Sequence, residues 1–312
     1  MDWHFWQRGT VTNLFQERFI LGGYYKHLLA NSTVLVLNTN LYYNINSAFV
    51  NFTNKDDPAG QFAFMESEMK SAMLCRKNGT TYCSPTVHIV AHIAPGAFER
   101  TPNYTWFRDQ YNERFLNLTV DYADVIGMML FGHHHTDTFH LIKNSSGSTV
   151  QFALMSPAVT PWFSSLKGAG ANNPAFRTYD VDASGQIHDI VTYYVDLDKL
   201  NTHKETPFVE EYAFKKAYNI SGLIDTDSMS DLLERMKTDD ELFQAYIKFN
   251  SVLWKPEVPE GVFRGGQLCS MEFADYPRYY ECLSRYNVVN VHSLNFFLGF
   301  VVIVVDLQGL LF

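Results

Sequence analysis

The sequence predicts an α/β fold, and two patterns carry that expectation. Residues 34–91 follow a strand, helix, strand order, and residues 125–195 hold five short apolar segments rich in β-branched or aromatic side chains, separated by turn residues. At 312 residues, with 46% hydrophobic and 18% charged side chains, the chain can bury a full-sized core and one appendage. A net charge of −9 without a Lys/Arg cluster excludes a phosphate-backbone binder, so nucleic acid is not an expected partner.

Each element follows from local chemistry. The runs at 34–37 and 87–91 read as strands. Between them, 61–72 reads as a helix carrying Phe62, Met65, Met69 and Met73 on its apolar positions, with Pro58 and Gly60 at its start and the segment from Cys75 to Cys83 at its end. A second helix is expected over 104–122, because Trp106, Tyr111, Phe115 and Leu118 lie near helical spacing. Strands follow at 125–131, 138–142, 150–155, 176–181 and 187–195. Residues 208–253 turn helical, with Leu232, Leu233, Met236, Leu242, Ala245 and Tyr246 at core spacing and a break at Thr238-Asp239-Asp240. The expected division is a first unit over 1–204, a helical subdomain over 205–290 and an apolar tail over 294–312. That tail is close to the length of about 20 residues that spans a bilayer. It reads as a lipid-anchor signal, a membrane-associating segment, a buried last helix or a tail foreign to the natural protein.

Asn31, Asn51, Asn78, Asn103, Asn117, Asn144 and Asn219 each open an Asn-x-Ser/Thr acceptor with no proline in the middle. Seven such triplets point to a secreted or cell-surface glycoprotein. The four cysteines fall into two near pairs, Cys75 with Cys83 and Cys269 with Cys282, which suits two local disulfides in an oxidising compartment. The first residues contain no apolar run long enough for a signal peptide, so the natural start is expected upstream of Met1.

The chemistry concentrates in histidines at strand tips. Gly132-His133-His134-His135 follows the 125–131 strand, and on an extended segment His133 and His135 share a face while His134 points the other way. His92 ends the 87–91 strand just before Pro95-Gly96, and such imidazoles suit transition metals. His88, on the same strand, reads as a core or surface residue.

Five segments resemble the acid sphingomyelinase-like phosphodiesterases, a branch of the calcineurin-like metallophosphoesterases. They are Asn38 to Tyr43, Asp57 to Gln61, His92 with Pro95-Gly96, Gly132 to Asp137, and Ser156 to Trp162 together with Ala171 to Pro174. The resemblance runs from about Gly22 to about Cys282. It implies the C-terminal half of a four-layer metallophosphoesterase sandwich, so that 1–204 is a partial domain, followed by the helical subdomain. It further implies that His92 and His133 bind one metal and His135 another, both usually zinc, for hydrolysis of a phospholipid or nucleotide-like phosphodiester. The family's Asp-x-His pair, bridging Asp and Gly-Asn-His motif have no counterpart here, and Asp2-Trp3-His4 follows no strand, so it is read as a coincidence of letters. Without a bridging carboxylate, one weak zinc or none is expected. The alternative is a catalytically inactive glycoprotein that keeps the fold.

Overall fold

The computed structural model describes residues 13–79, 83–182, 184–203, 207–254 and 256–286. Helix α1 (Asn13–Gly22) leads into the antiparallel pair β1 (Tyr25–Leu28) and β2 (Ser32–Leu37). Helix α2 (Gln61–Asn78) crosses to β3 (Thr86–Ala91), α3 (Asp109–Asp121) crosses to β4 (Ile126–Phe131), and β5 (Thr138–Lys143) returns antiparallel to β6 (Thr149–Met155). These six strands form one sheet in the order β1-β2-β3-β4-β6-β5. The four inner strands β2, β3, β4 and β6 are mutually parallel.

Strand β6 shows why the sheet is covered on both faces. Ala153 and Met155 enter a core shared with α2 and α3, whereas Phe152 and Leu154 enter a second core on the opposite face. That alternation is the period-2 geometry of a strand buried on both sides. The second core is filled by β9 (Ala175–Val181), β10 (Ile187–Tyr194) and β11 (Val209–Ala213), which form a three-stranded sheet, and by helices further along the chain. A two-stranded hairpin, β7 (Trp162–Ser164) and β8 (Gly170–Asn172), precedes that sheet.

Beyond the short α4 (Leu197–His203) and α5 (Phe214–Tyr218), helices α6 (Thr226–Thr238) and α7 (Asp240–Asn250) are divided where the sequence predicts. The Asp239 side chain accepts from Leu242 N–H and starts α7, and Asp225 with Ser228 forms a capping box on α6. Leu232, Leu233, Met236 and Tyr246 are buried, while Leu242 and Ala245 are half-buried. Helices α8 (Gly261–Glu272) and α9 (Tyr276–Ser284) are joined by the Cys269–Cys282 disulfide, and Cys75–Cys83 closes the end of α2.

Three expectations change. Helix α2 runs through Cys75 to Asn78, ending at Gly79 with a φ of 60°, and Met73 lies outward at 41% exposure. Helix α3 starts at Asp109, not 104, because Trp106 N–H donates to Gly96 O and Ala97 bridges Thr105, which ties the preceding residues to the 96–98 loop. The 208–253 stretch opens with β11 rather than a helix, since its backbone completes the edge of β10. The 294–312 tail lies outside the described residues, and among the described residues no helix is long and apolar enough to cross a membrane.

Candidate metal centre

Parallel strands that end together create a rim where loops converge, which is where open α/β sheets place ligands. Here the rim is built by the ends of β3 and β4. The backbone of His92 accepts from Gly132 N–H at 2.9 Å, and Ile93 N–H donates to the buried Thr39 hydroxyl at 2.8 Å, so the two strand tips are locked side by side. His92 Nε2 and His133 Nδ1 then lie 3.2 Å apart.

The 132–137 loop is not extended, and the expected shared face of His133 and His135 arises in another way. Both residues adopt left-handed backbone, with φ of 67° and 61°. His134 N–H bonds Gly132 O at 2.8 Å across His133, closing a γ-turn of the rare positive-φ hand. Left-handed backbone at a residue with a β-carbon stores strain of about 1–3 kcal/mol and persists only where surroundings hold it. His134 does point away from the other two, but into the interior, where it is 1% exposed and bonds Glu99 Oε2 at 2.8 Å.

Aromatic rings wall the exposed side. His133 lies edge-on to Trp106 and Tyr43, with ring centroids 4.3 and 5.2 Å away, and His135 lies against Trp162 at 5.3 Å. Burial, followed by the neighbouring histidines, pushes the His133 pKa down to about 3, and burial lowers His92 and His135 as well. The imidazoles are therefore neutral, the form that binds a metal ion. His133 Nε2 and His135 Nδ1 are buried without a hydrogen-bond partner. Two imidazole nitrogens on one tetrahedral zinc stand roughly 3.3 Å apart, from zinc–nitrogen bonds of about 2.0–2.1 Å. The His92–His133 separation fits that value. Among the described residues, however, no group of three His, Cys, Asp or Glu converges on one point. The structure brings His92 and His133 together and places His135 against Trp162, near enough to His92 and His133 for their charges to interact.

Sequence reasoning missed the residues beneath the loop. Glu99 and Arg100 are both buried, 0% and 6% exposed, and Asn172 and Asn250 are buried beside them. Arg100 donates to Ala169 O, Asn172 Oδ1, Asn250 Oδ1 and Asn250 O at 2.5–2.8 Å. A Glu-Arg pair directly after Pro95-Gly96-Ala97-Phe98 is the sequence signal for it: two charges inside an apolar stretch. Behind Asn250 and Arg100 lies a cavity of about 720 Å³ that Phe163 and Trp254 also line. His88 accepts from Met128 N–H through Nδ1 and is a core residue. Asn31, Asn51, Asn78, Asn103, Asn117 and Asn219 are exposed, and Asn144 is half-buried.

The family model of the acid sphingomyelin phosphodiesterase C-terminal region matches residues 148–289. The acid sphingomyelinase-like phosphodiesterase 3b of Homo sapiens is 32% identical over 288 residues, which cover 90% of this chain and 60% of that protein. This chain is related to the acid sphingomyelinase-like phosphodiesterases. The cyclic GMP-AMP phosphodiesterase SMPDL3A of Homo sapiens is 29% identical over 85% of this chain and 57% of its own length. The sphingomyelinase phosphodiesterase C of Dictyostelium discoideum is 27% identical over 86% and 59%. The chain spans about 60% of the length of these curated relatives.

Proposed function

We propose that this chain carries the histidine side of a zinc-dependent phosphodiester hydrolase, acting outside the cell on a phospholipid headgroup or a nucleotide-like phosphodiester. The observation that carries it is the approach of His92 Nε2 to His133 Nδ1, 3.2 Å apart at the tips of two parallel strands. On this reading the described domain is the C-terminal half of a metallophosphoesterase sandwich. His92 and His133 would hold a single, weakly bound ion, and His135 is the residue that faces a second ion in the resembling family. Bound zinc would polarise a phosphoryl oxygen and acidify a water. The chain's own residues supply the setting: partial burial lowers the pKa of His92, His133 and His135, and Trp106 and Tyr43 pack edge-on against His133 while Trp162 packs against His135.

Two disulfides favour an oxidising compartment, and the exposure of most sequon asparagines favours a glycoprotein. Calorimetric titration with zinc tests the site. The expected result is binding that disappears in a variant with alanine at His92, His133 and His135; unchanged affinity in that variant would refute it.

A second reading is a catalytically inactive glycoprotein that holds at most one weak metal. It is motivated by the sequence, which carries no counterpart of the family's Asp-x-His pair, bridging Asp or Gly-Asn-His motif. Turnover of a chromogenic phosphodiester that His133→Ala abolishes would eliminate this reading.

A further inference from the structure

We infer that Glu99 is the positioning residue that orients the histidine loop, and that Trp106 and Arg100 dictate that it be a carboxylate and not an amide. The inference rests on the metal-site reading above, and it follows from counting donors and acceptors.

Trp106 Nε1–H can only donate, and it lies 2.7 Å from His134 Nε2. That nitrogen therefore bears a lone pair, so the proton of the neutral ring is on Nδ1, which donates to Glu99 Oε2 at 2.8 Å. On the other side, Arg100 has donors only, and its Nε bonds Asn250 Oδ1 at 2.8 Å. The amide of Asn250 is thereby oriented, and its Nδ2 must donate to Glu99 Oε1 at 3.0 Å. Thr136 Oγ1 donates to the same oxygen at 2.5 Å. Two donors of fixed direction, the His134 ring and the Asn250 amide, meet the two oxygens of Glu99 beside the Thr136 hydroxyl, and a carboxylate presents an acceptor to both where an amide cannot. Burial alone would raise its pKa, but the hydrogen bonds from His134 and Thr136 and the charge of Arg100 bring it below the usual carboxylate range.

The same network grips the loop almost residue by residue. Glu99 takes the His134 ring and the Thr136 hydroxyl, and Asn172 Nδ2 donates to His135 O at 2.5 Å while Arg100 secures Asn172 Oδ1. Asp137 N–H and O both bond Asn250. With the side chains of 134 and 136 drawn inward, the backbone is held left-handed at 133, just before them, and at 135, between them. Those two imidazoles are thus set at the rim by Glu99, Arg100, Asn172 and Asn250 through the loop that carries them.

A glutamine at 99 has nearly the same volume and fails by polarity. Its Nε2 must face either the His134 Nδ1–H or the Asn250 Nδ2–H, and each choice sets donor against donor. Trp106→Phe removes the N–H that fixes the His134 tautomer, so the ring can move its proton to Nε2 and accept from the glutamine.

The test uses the full chain in four forms: wild type, Glu99→Gln, Trp106→Phe and the double variant. Nitrogen-15 NMR of the imidazoles is recorded without metal, and zinc affinity is measured by calorimetry. The wild type should show His134 as the Nδ1–H tautomer. Glu99→Gln should displace the His133 and His135 resonances and weaken zinc by roughly 10–100-fold, the usual cost of losing an outer partner of a ligand set. The double variant should bind zinc nearly as well as Trp106→Phe alone, with His134 now protonated on Nε2. Unchanged His133 and His135 resonances in Glu99→Gln, or the same loss of zinc affinity on adding Glu99→Gln to Trp106→Phe as on adding it to the wild type, would overturn the inference. If Glu99→Gln does not fold, the wild-type spectrum still decides, because an Nε2–H or doubly protonated His134 contradicts the derivation. A wild type that binds no zinc would remove the metal reading, while the ring-nitrogen resonances would still settle what Glu99 does.

Discussion

His88 and His92 stand four residues apart, in the middle of β3 and just past its tip, and their surroundings are opposite. His88 is enclosed: Met128 N–H donates to its Nδ1 at 3.1 Å, and the α-carbons of Gly127 and Gly185 pack so closely that an added β-carbon would lie 2.6 and 2.5 Å from its Cε1. His92 instead faces another imidazole at the rim. The difference shows that a histidine's role depends on what takes its nitrogens. A backbone donor and two glycines make His88 a packed core side chain, whereas the nitrogens at the rim have chiefly each other.

The comparison can be broken most strongly at His133. Its alanine variant should lose more zinc affinity than the roughly 100-fold that losing an outer partner can cost, and calorimetry against wild type measures it. Retained affinity would make the rim no different from the strand interior. The converse variant is Gly127→Ala, which forces a β-carbon into His88; overpacking of this kind costs about 1–3 kcal/mol. Denaturant unfolding should show that loss, with zinc affinity unchanged.

Acid provides a weaker and more general test. His133 and His140 have folded pKa values pushed down to about 3 by burial, first of all, and by neighbouring imidazoles. The unfolded chain therefore binds more protons between about pH 6.5 and 3, so their contribution is whole above that window and is lost as pH falls through it. Glu211 works in the opposite sense, because burial raises its carboxyl to about 8 and its contribution is lost as pH rises. Near pH 6.5 each histidine is about half protonated in the unfolded chain, so the pair and Glu211 nearly offset one another, and the net decline sets in below about pH 6. The unfolding midpoint should change little between pH 7 and 6 and fall between pH 6 and 5, and that fall should be smaller in His140→Phe.

Much of this architecture was legible because strands buried on both faces leave unbroken apolar runs. The segments at 34–37, 87–91, 125–131, 138–142 and 150–155 all fall within or across the strands of the main sheet. His92 and His133 were legible for a related reason, since each follows such a run at the point where the sheet ends. What pattern could not supply was long-range polarity. Glu99 and Arg100 acquire their meaning from Trp106, Asn172 and Asn250, which lie up to 151 residues away in sequence. Periodicity also misplaced Trp106 in a helix and His133 to His135 on an extended segment. In both places hydrogen bonds to distant backbone and side chains override local preference.

The central claim is that the rim, and not the strand interior, holds metal. The most direct measurement is anomalous diffraction at the zinc edge from crystals of the full chain grown with zinc. The account predicts a peak within about 2.0–2.1 Å of a ring nitrogen of both His92 and His133, with none at His88. A zinc ion bound elsewhere, or a rim with no anomalous signal at saturating zinc, would contradict it.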